Sequence, residues 1–348
     1  DNWRLMLKET DADIVVISTD WNTHGIMAIE TMKNNKHAFV EVPLANTIKE
    51  LWEIVNTSEK FQKHCMMMEN VNYGREELMF LNLCRKGLLG ELYHGEAAYI
   101  HDLRWQMYEE EIGTGSWRTL QYEKKKGNLY PTHGLGPVSQ YMNLLRTEDT
   151  FKTLISFSSP ALGREKFARE NFKENHKWNK LNYQNGDINT TVIKTYLGRT
   201  IMVQWDETSP RPYTRLNLIQ GTKGILAGGP TRAAFDNGFE GYTKDAEEWI
   251  IGEGIDALYE KYDHPMYKRL HKITQDSGHG GMDGMMVYRI IECLRKGEPL
   301  DQNVYEGCAW SSLIELTSNS VNNDGQPQDF PDFTRGNWVN TNTFDIIP

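Results

Sequence analysis

Residues 12–19, ADIVVIST, form a short apolar run rich in β-branched side chains and bounded by polar ones, the pattern of a strand covered on both faces. WNTHGIMAIETMKNNK, which follows, reads as a turn and then a helix, and HAFVEVPLA is a second buried strand. Thr47-Ile48-Lys49-Glu50 is a capping box that opens a helix with Ile48, Leu51, Trp52 and Val55 on one face. HCMMMENVN, residues 64–72, is a third strand. Strand, helix, strand, helix, strand implies parallel pairing through right-handed crossovers, an α/β unit. Ligands of open parallel sheets lie beyond the carboxyl ends of the strands. Those ends carry Asp20, Trp21, Asn22, His24, Glu41 and Asn70.

From about residue 75 the texture changes. One helix, 75–86, stops at Gly87, and strand-like stretches then dominate at 91–104, 188–197, 200–206, 214–220 and 224–228. The turns LGR and GTKG join neighbours, so antiparallel hairpins are expected, and such a sheet can wall a binding cleft. Residues 161–187, crowded with Lys, Glu, Asn and Arg, read as a solvated excursion. GGMDGMMVYRIIECLRKG, closed by Gly297, and DQNVYEGCAWSSLIEL are two late helices, and the polar tail from Asn322 is expected to wrap over the surface. The expected fold class is α/β plus α+β: a parallel unit over 1–73, then an α+β unit over 74–348 with a large, mostly antiparallel sheet.

At 348 residues the chain exceeds the roughly 250–300 at which single cores usually divide. With 38 Lys plus Arg against 48 Asp plus Glu and no basic stripe, nothing could track a phosphate backbone, so nucleic acid is not expected as a partner. No apolar run approaches the roughly 20 residues that span a bilayer, and the opening DNWRLMLKET lacks the pattern of a signal peptide. The four cysteines show neither CxxC pairing nor metal-ligand spacing and read as core thiols. The 10 Trp and 16 Tyr suit stacking on sugar faces, although aromatics also fill cores.

Four segments can carry chemistry. In YPTHGLGP, residues 130–137, Gly136-Pro137 suits an N-cap and first helical position, which would leave His133 just outside a helix whose dipole favours a neutral ring, with Tyr130 offering a phenolic proton. A histidine bonding its own turn fits equally well. WNTHG ends a buried strand, where a cofactor or a plain loop with a capping His24 would lie. SGHGGMDG, residues 277–284, crowds four glycines around His279 and Asp283; His264, His271 and His279 lack metal-ligand spacing, so no metal is expected and His279 is structural or lines a cleft. DETSPRPYTR carries Asp206, Arg211, Tyr213 and Arg215 in a loop suited to reading hydroxyls and an amide, or simply solvated. No carboxylate pair of the usual glycosidase kind stands out, and no GxSxG, HExxH or P-loop appears.

Together, STDWNTHG, EVPLA, ENVNYGREE, YPTHGLGP, QWDETSPRPYTRLNLIQGTKG and GHGGMD resemble the NAD-dependent superfamily of glucose–fructose oxidoreductase and inositol dehydrogenase. More narrowly they are similar to glycoside hydrolase family 109, the NAD-dependent α-N-acetylgalactosaminidases, over nearly the whole chain. Sugar dehydrogenases of the superfamily usually carry Glu-Lys-Pro where this chain has Glu41-Val42-Pro43, and the missing lysine points to the hydrolase branch. The resemblance implies a Rossmann-like NAD domain, of which residues 1–73 match only the later half: the first strand, the GxGxxG turn and the ribose-binding acid would precede Asp1. It implies release of terminal α-linked N-acetylgalactosamine, with retention, by oxidation, elimination, water addition and reduction, with NAD as cofactor. The alternatives are a sugar dehydrogenase of the same superfamily or a non-catalytic carbohydrate-binding protein. Matched residue by residue, Trp21, Asn22, Thr23, His24, Glu41, Val42, Asn70, Tyr130, Pro131, Thr132 and His133 fall on cofactor positions. Tyr99, Arg118, Tyr130 and Tyr213 fall on substrate positions, with His133 or Tyr130 as the proton-moving group. The resemblance further implies a homo-oligomer associating through the open face of the antiparallel sheet, and an exported, periplasmic protein.

Overall fold

The computed structural model describes residues 2–344. A short helix α1 (Trp3–Glu9) precedes β1 (Ile14–Ile17), α2 (Trp21–Lys33), β2 (His37–Val40), α3 (Ile48–Phe61) and β3 (Cys65–Met67). The three strands pair in parallel in the order β1-β2-β3, as the alternation requires. Thr47 caps α3 by accepting the N–H of Glu50, the first half of the expected capping box, while the Glu50 carboxylate takes the Thr47 hydroxyl at 2.7 Å in place of the backbone N–H. Two details differ from expectation. No turn intervenes before α2, which starts at Trp21 because Asp20 caps it by accepting the N–H of Asn22. The third strand is also short, since Asn70–Tyr73 turns into a 3-10 helix.

Helix α4 (Arg75–Arg85) leads into β4 (Leu92–Ile100), α5 (Thr114–Lys124), α6 (Thr132–Tyr141), β5 (Phe151–Ser158), α7 (Gly163–Asn171), β6 (Asn189–Thr195), β7 (Thr200–Asp206), β8 (Leu218–Gly221), β9 (Gly224–Ala227) and β10 (Arg232–Phe235). Helices α8 (Glu253–Tyr262), α9 (Pro265–Thr274), α10 (Met282–Lys296) and α11 (Val304–Asn322) and the short strand β11 (Gln328–Asp329) complete the chain. The second sheet has eight strands in the order β10-β9-β8-β4-β7-β6-β5-β11, all antiparallel except β4 with β7. The expected fold class, α/β followed by α+β with a large antiparallel sheet, is the one observed. The strands at 151–158 and 232–235 were not anticipated.

One hydrophobic core runs between the sheets, and α11 is its keel. Gly307 lets this helix lie against β3, Ser311 accepts the N–H of Leu44, and Glu315 accepts the N–H of Ile48. Trp205 and Trp310 are fully buried, and each aromatic of this size contributes several kcal/mol by leaving water, about 3 on the usual scale. Residues 161–187 are not merely a solvated excursion: Ala168 and Trp178 bury against Met107, with the Trp178 indole N–H donating to the carbonyl of Met107 at 2.7 Å. Apart from the buried Arg164, the charged residues there lie on the outer side of a small satellite core, which is why composition misled. The tail beyond Asn322 does fold back, through β11 on β5 and Phe333 against Trp52. No helix among the described residues is long and apolar enough to cross a membrane.

Candidate active site

Helix α6 begins at Thr132, five residues earlier than Gly136-Pro137 suggests, so His133 sits inside the first turn and not before it. Pro137 lies within the helix, where its missing N–H leaves the carbonyl of His133 without its ladder partner. The two glycines serve packing. A Cβ on Gly134 would lie 2.4 Å from the backbone nitrogen of Ala98 in β4, and one on Gly136 would lie 3.0 Å from Cγ of Glu69. YPTHGLGP is therefore shaped to press one helix against both the large sheet and the end of the small one.

That contact brings His133 onto Glu69. Glu69 is fully buried; its Oε1 takes the Nδ1–H of His133 at 2.6 Å and the N–H of Val71 at 3.2 Å, while Oε2 has no partner. A carboxylate only accepts, so it selects the tautomer with the proton on Nδ1 and leaves Nε2 for chemistry. Glu69 was missed by sequence reasoning, although it opens the ENVN stretch; nothing local marks an acid whose partner lies 64 residues away.

Around His133 the rings converge. Tyr130 meets the imidazole edge-on at 4.9 Å and stacks on Trp21 at 5.3 Å; Tyr99 lies 5.0 Å from Tyr130 and 5.2 Å from His133. The Arg118 guanidinium stands 4.7 Å over Trp21 and 5.2 Å over Tyr130. Burial pushes the Tyr130 phenol well above its ordinary value, so it remains a proton donor through neutral pH. Behind it, Glu207 receives Arg118 at 3.5 Å and the Tyr122 hydroxyl at 2.6 Å, and that hydroxyl in turn accepts from Arg164 at 3.0 Å. Burial works against the Arg118 charge, but Glu207 and the surrounding phenols outweigh it and hold the guanidinium's proton more firmly than usual. This polar support, too, was not visible in the sequence.

Beyond the carboxyl ends of β2 and β3 lies a cavity of about 250 Å³ walled by Val42, Met68 and Met286 and edged by Glu41, Asn70 and Asp283, with Tyr130 and His133 on its far side. Asn70 donates to Asp283 at 2.7 Å, and Asp283 binds His279 Nδ1 at 2.7 Å, so SGHGGMDG does line the cleft. Burial raises the Glu41 carboxyl above its usual range, with His24 opposing and Asp283 adding to the rise. Tyr213 lies 6.2 Å from Tyr99 at the mouth of a second cavity of about 460 Å³, where Arg215 bonds both Tyr213 and Glu77 at 2.6 Å.

Several side chains assigned to the cofactor face elsewhere. His24 is turned inward, with Nδ1 at 2.7 Å from the carbonyl of Pro43 and Nε2 at 3.0 Å from that of Thr19. Thr23 is tied to Asp20 and Thr19, and Asn22 points to solvent. Trp21 joins the aromatic cluster, while Pro131 and Thr132 are buried behind the helix start. A helix starting at Trp21 explains the first set: only one face of its opening turn can look into the cleft. Asp206 also turns inward, capping the turn at Thr208 and Ser209. Among the described residues no group of three or more His, Cys, Asp or Glu is placed to hold a metal ion.

The family model "Glycosyl hydrolase 109, C-terminal domain" matches residues 73–340. Glycosyl hydrolase family 109 protein 1 of Akkermansia muciniphila is 58% identical over 349 residues, covering 100% of this chain and 72% of that protein. This chain belongs to glycosyl hydrolase family 109. A family 109 protein of Shewanella sp. (strain W3-18-1) is 57% identical over 99% of this chain and 74% of its own length. Residues 1–69 match the model "Oxidoreductase family, NAD-binding Rossmann fold". Among solved structures, levoglucosan dehydrogenase in complex with NADH and levoglucosan shares the fold, with a TM-score of 0.69 at 16% identity over 95% of this chain and 83% of that one. An inositol dehydrogenase homolog from Azotobacter vinelandii does so with a TM-score of 0.66 at 16% identity over 94% and 81%.

This family 109 chain is thus an NAD-using enzyme of a glycosidase and sugar oxidoreductase family. Its 250 Å³ cavity suits the nicotinamide end of NAD: Val42, Met68 and Met286 give apolar walls to a flat ring, and Asn70 and Glu41 supply polar edges. No GxGxxG turn for the pyrophosphate occurs in these 348 residues.

Proposed function

We propose that this chain releases terminal α-linked N-acetylgalactosamine from glycans, with retention, through oxidation at C3, elimination across C1 and C2, addition of water and reduction. NAD, when bound, accepts hydride from the sugar C3 and returns it. The chain's own part is proton transfer and orientation. His133, its Nδ1 committed to Glu69, takes a proton at Nε2 from the C3 hydroxyl or from C2, and Tyr130 at its edge relays or returns it. Tyr99, Arg118 and Tyr213 hold the sugar, Arg118 also fixing the Tyr130 and Trp21 rings from behind. The side chains of Glu41, Val42 and Asn70 meet the nicotinamide side, and the backbone at Trp21–His24 and Tyr130–His133 frames it.

The observation that carries this reading is His133, held by buried Glu69 and edged by Tyr130, in the wall of the cavity that Val42 also lines. It supplies a base with a fixed tautomer where a glycosidase lacking a carboxylate pair needs one. Val42, in place of a lysine, favours hydrolysis over net oxidation. Association of copies through the open face of the large sheet, where Ile155, Phe157 and Val192 are exposed, belongs to the same reading, as does export of the protein.

The test is a 4-nitrophenyl α-N-acetylgalactosaminide assay with and without NAD, on this chain and on this chain preceded by a glycine-rich strand–turn–helix unit. NAD-dependent nitrophenol release without net NADH is expected. NADH accumulation without release would instead establish a dehydrogenase, and sugar binding with neither would establish a binding protein.

A further inference from the structure

The hairpin of β9 and β10 and the loop that follows it frame a further cavity, of about 380 Å³, against the ends of α4 and α8. It shares no lining residue with the two cavities at the candidate active site. Helix α8 stands between them, turning Tyr259 to the 460 Å³ cavity and Lys261 and Tyr262 to this one. The apolar part of the wall is aromatic: Phe235, Phe239 and Tyr262 are half-buried there, and the Lys261 ammonium stands 5.2 Å over Tyr262 and 5.9 Å over Phe239. Tyr242 backs Phe239, their ring centroids 5.4 Å apart and their planes within 15°. These rings are fixed by the backbone. The Thr243 N–H donates to the carbonyl of Phe239 at 2.9 Å, and the Phe239 N–H reaches the carbonyl of Thr243 at 3.1 Å and its hydroxyl at 2.9 Å. Gly238 enters this turn at a φ of 65°, and a Cβ on it would lie 2.4 Å from the Thr243 carbonyl oxygen. Gly224 makes room for Phe235, since a Cβ there would lie 2.8 Å from Cδ1 of that ring.

The polar part of the wall is unspent. Lys223, Asp236, Asn237 and Glu240 edge the cavity with exposed side chains that make no hydrogen bond or ion pair among the described residues. Lys223 and Lys261 offset Asp236 and Glu240, so the rim carries donors and acceptors together and no net charge. Single exposed rings are ordinary on a protein surface, but rings locked into the wall of a concavity with convergent polar groups mark a ligand site. We propose that this cavity is a secondary glycan-binding site that takes one neutral pyranose unit, a galactose or an N-acetylhexosamine, away from the site of reaction. The C–H face of the sugar lies on the aromatic wall, its hydroxyls accept from Lys223, Lys261 and Asn237, and they donate to Asp236 and Glu240. A sialic acid would bring its carboxylate against those two acids, and a purely apolar ligand would leave five polar side chains without partners. Held at such a site, a branched or polymeric glycan stays at raised effective concentration near the catalytic cleft. The inference rests on membership of a glycosidase family and not on the reaction proposed above.

The experiment is affinity electrophoresis of this chain, without NAD, through gels holding soluble polyacrylamide that bears galactose, N-acetylglucosamine or N-acetylneuraminic acid, with the bare polymer as control. Wild type is compared with Phe239→Ala and with the double variant Asp236→Ala/Asn237→Ala, whose exposed side chains can be removed without disturbing the fold. Retardation by at least one of the two neutral glycopolymers is expected, with less by the sialylated one. The dissociation constant derived from it should rise about 5-fold or more in both variants, as for the loss of one stacked ring or its hydrogen-bonding rim, while the circular dichroism stays that of wild type. Wild-type migration unaffected by either neutral polymer, or both variants retarded as strongly as wild type, would overturn the assignment. Equal or stronger retardation by the sialylated polymer would overturn the choice of a neutral sugar. A fall in the mass measured by light scattering for both variants, with retardation unchanged, would make the cavity a contact between copies instead. None of these readouts needs NAD or turnover, so failure of the nitrophenyl glycoside assay and failure of this site are separate results.

Discussion

Glu69 and His133, 64 residues apart in sequence, meet at 2.6 Å where the end of the parallel sheet touches the first turn of α6. The buried acid dictates which imidazole nitrogen carries the proton. Replacing it by an amide, Glu69→Gln, keeps the shape but allows the opposite tautomer. We predict a fall in kcat of about 10²–10⁴-fold with KM changed little, because orientation of a base, not binding, is lost. Steady-state kinetics together with C2-proton exchange measured by NMR check this, and wild-type exchange in the variant would contradict it.

Gly134 sets how closely α6 approaches β4. Gly134→Ala would force a Cβ to 2.4 Å from the Ala98 nitrogen and 2.7 Å from its carbonyl oxygen, neither of which can move without disturbing the sheet. Denaturant unfolding should show a loss of about 1–3 kcal/mol or more, accompanied by reduced activity as His133 shifts from Glu69. Gly136→Ala, whose Cβ would meet side chains alone, Glu69 at 3.0 Å and Asn72 at 3.1 Å, should cost less.

His264 gives the fold a pH dependence of definite sign. It caps α9 by accepting the Met266 N–H at 3.1 Å, its Nε2 is buried without a partner, and burial with nearby Arg85 lowers its pKa to about 4. The unfolded chain protonates it near 6.5, so its contribution is complete above that pH and is lost as pH falls toward about 4. The linkage is on the order of 3 kcal/mol. His264→Asn keeps a capping acceptor but does not titrate, and it should flatten the decline of Tm between these pH values relative to wild type. Parallel Tm profiles would show that other groups govern the acid limb.

On the open face of the large sheet, Ile155, Val192 and Met202 stand in register across β5, β6 and β7. If copies associate there, Val192→Asp should lower the mass measured by light scattering to that of a single chain while leaving the circular dichroism unchanged. An unaltered mass would place the interface elsewhere or show that there is none.

The fold was legible where hydrophobic pattern alone decides it. ADIVVIST and HAFVEVPLA, with the Thr47–Glu50 capping box between that second strand and the third, fix a parallel unit, and Gly297 does end α10. Trp178 and Ala168 were hidden because a helix with one small apolar face reads as polar by composition. The site was legible as a set of types but not as a set of directions. Tyr99, Arg118, Tyr130 and His133 do converge, whereas His24 and Thr132 turn away, since helix phase depends on where the helix starts and that start was misplaced at both WNTHG and YPTHGLGP. Glu69 and Glu207 could not be found at all, because each is defined by partners brought to it only by the tertiary fold.

The central claim is that protons move at C2 of the sugar while the bound cofactor ends each turnover unchanged. The measurement is hydrolysis of an α-N-acetylgalactosaminide in D₂O by the NAD-loaded protein, with the released sugar analysed by NMR and NADH followed by absorbance. The account predicts deuterium at C2 of the released N-acetylgalactosamine and no net NADH. Release with protium retained at C2, or accumulation of NADH in proportion to substrate consumed, would contradict it.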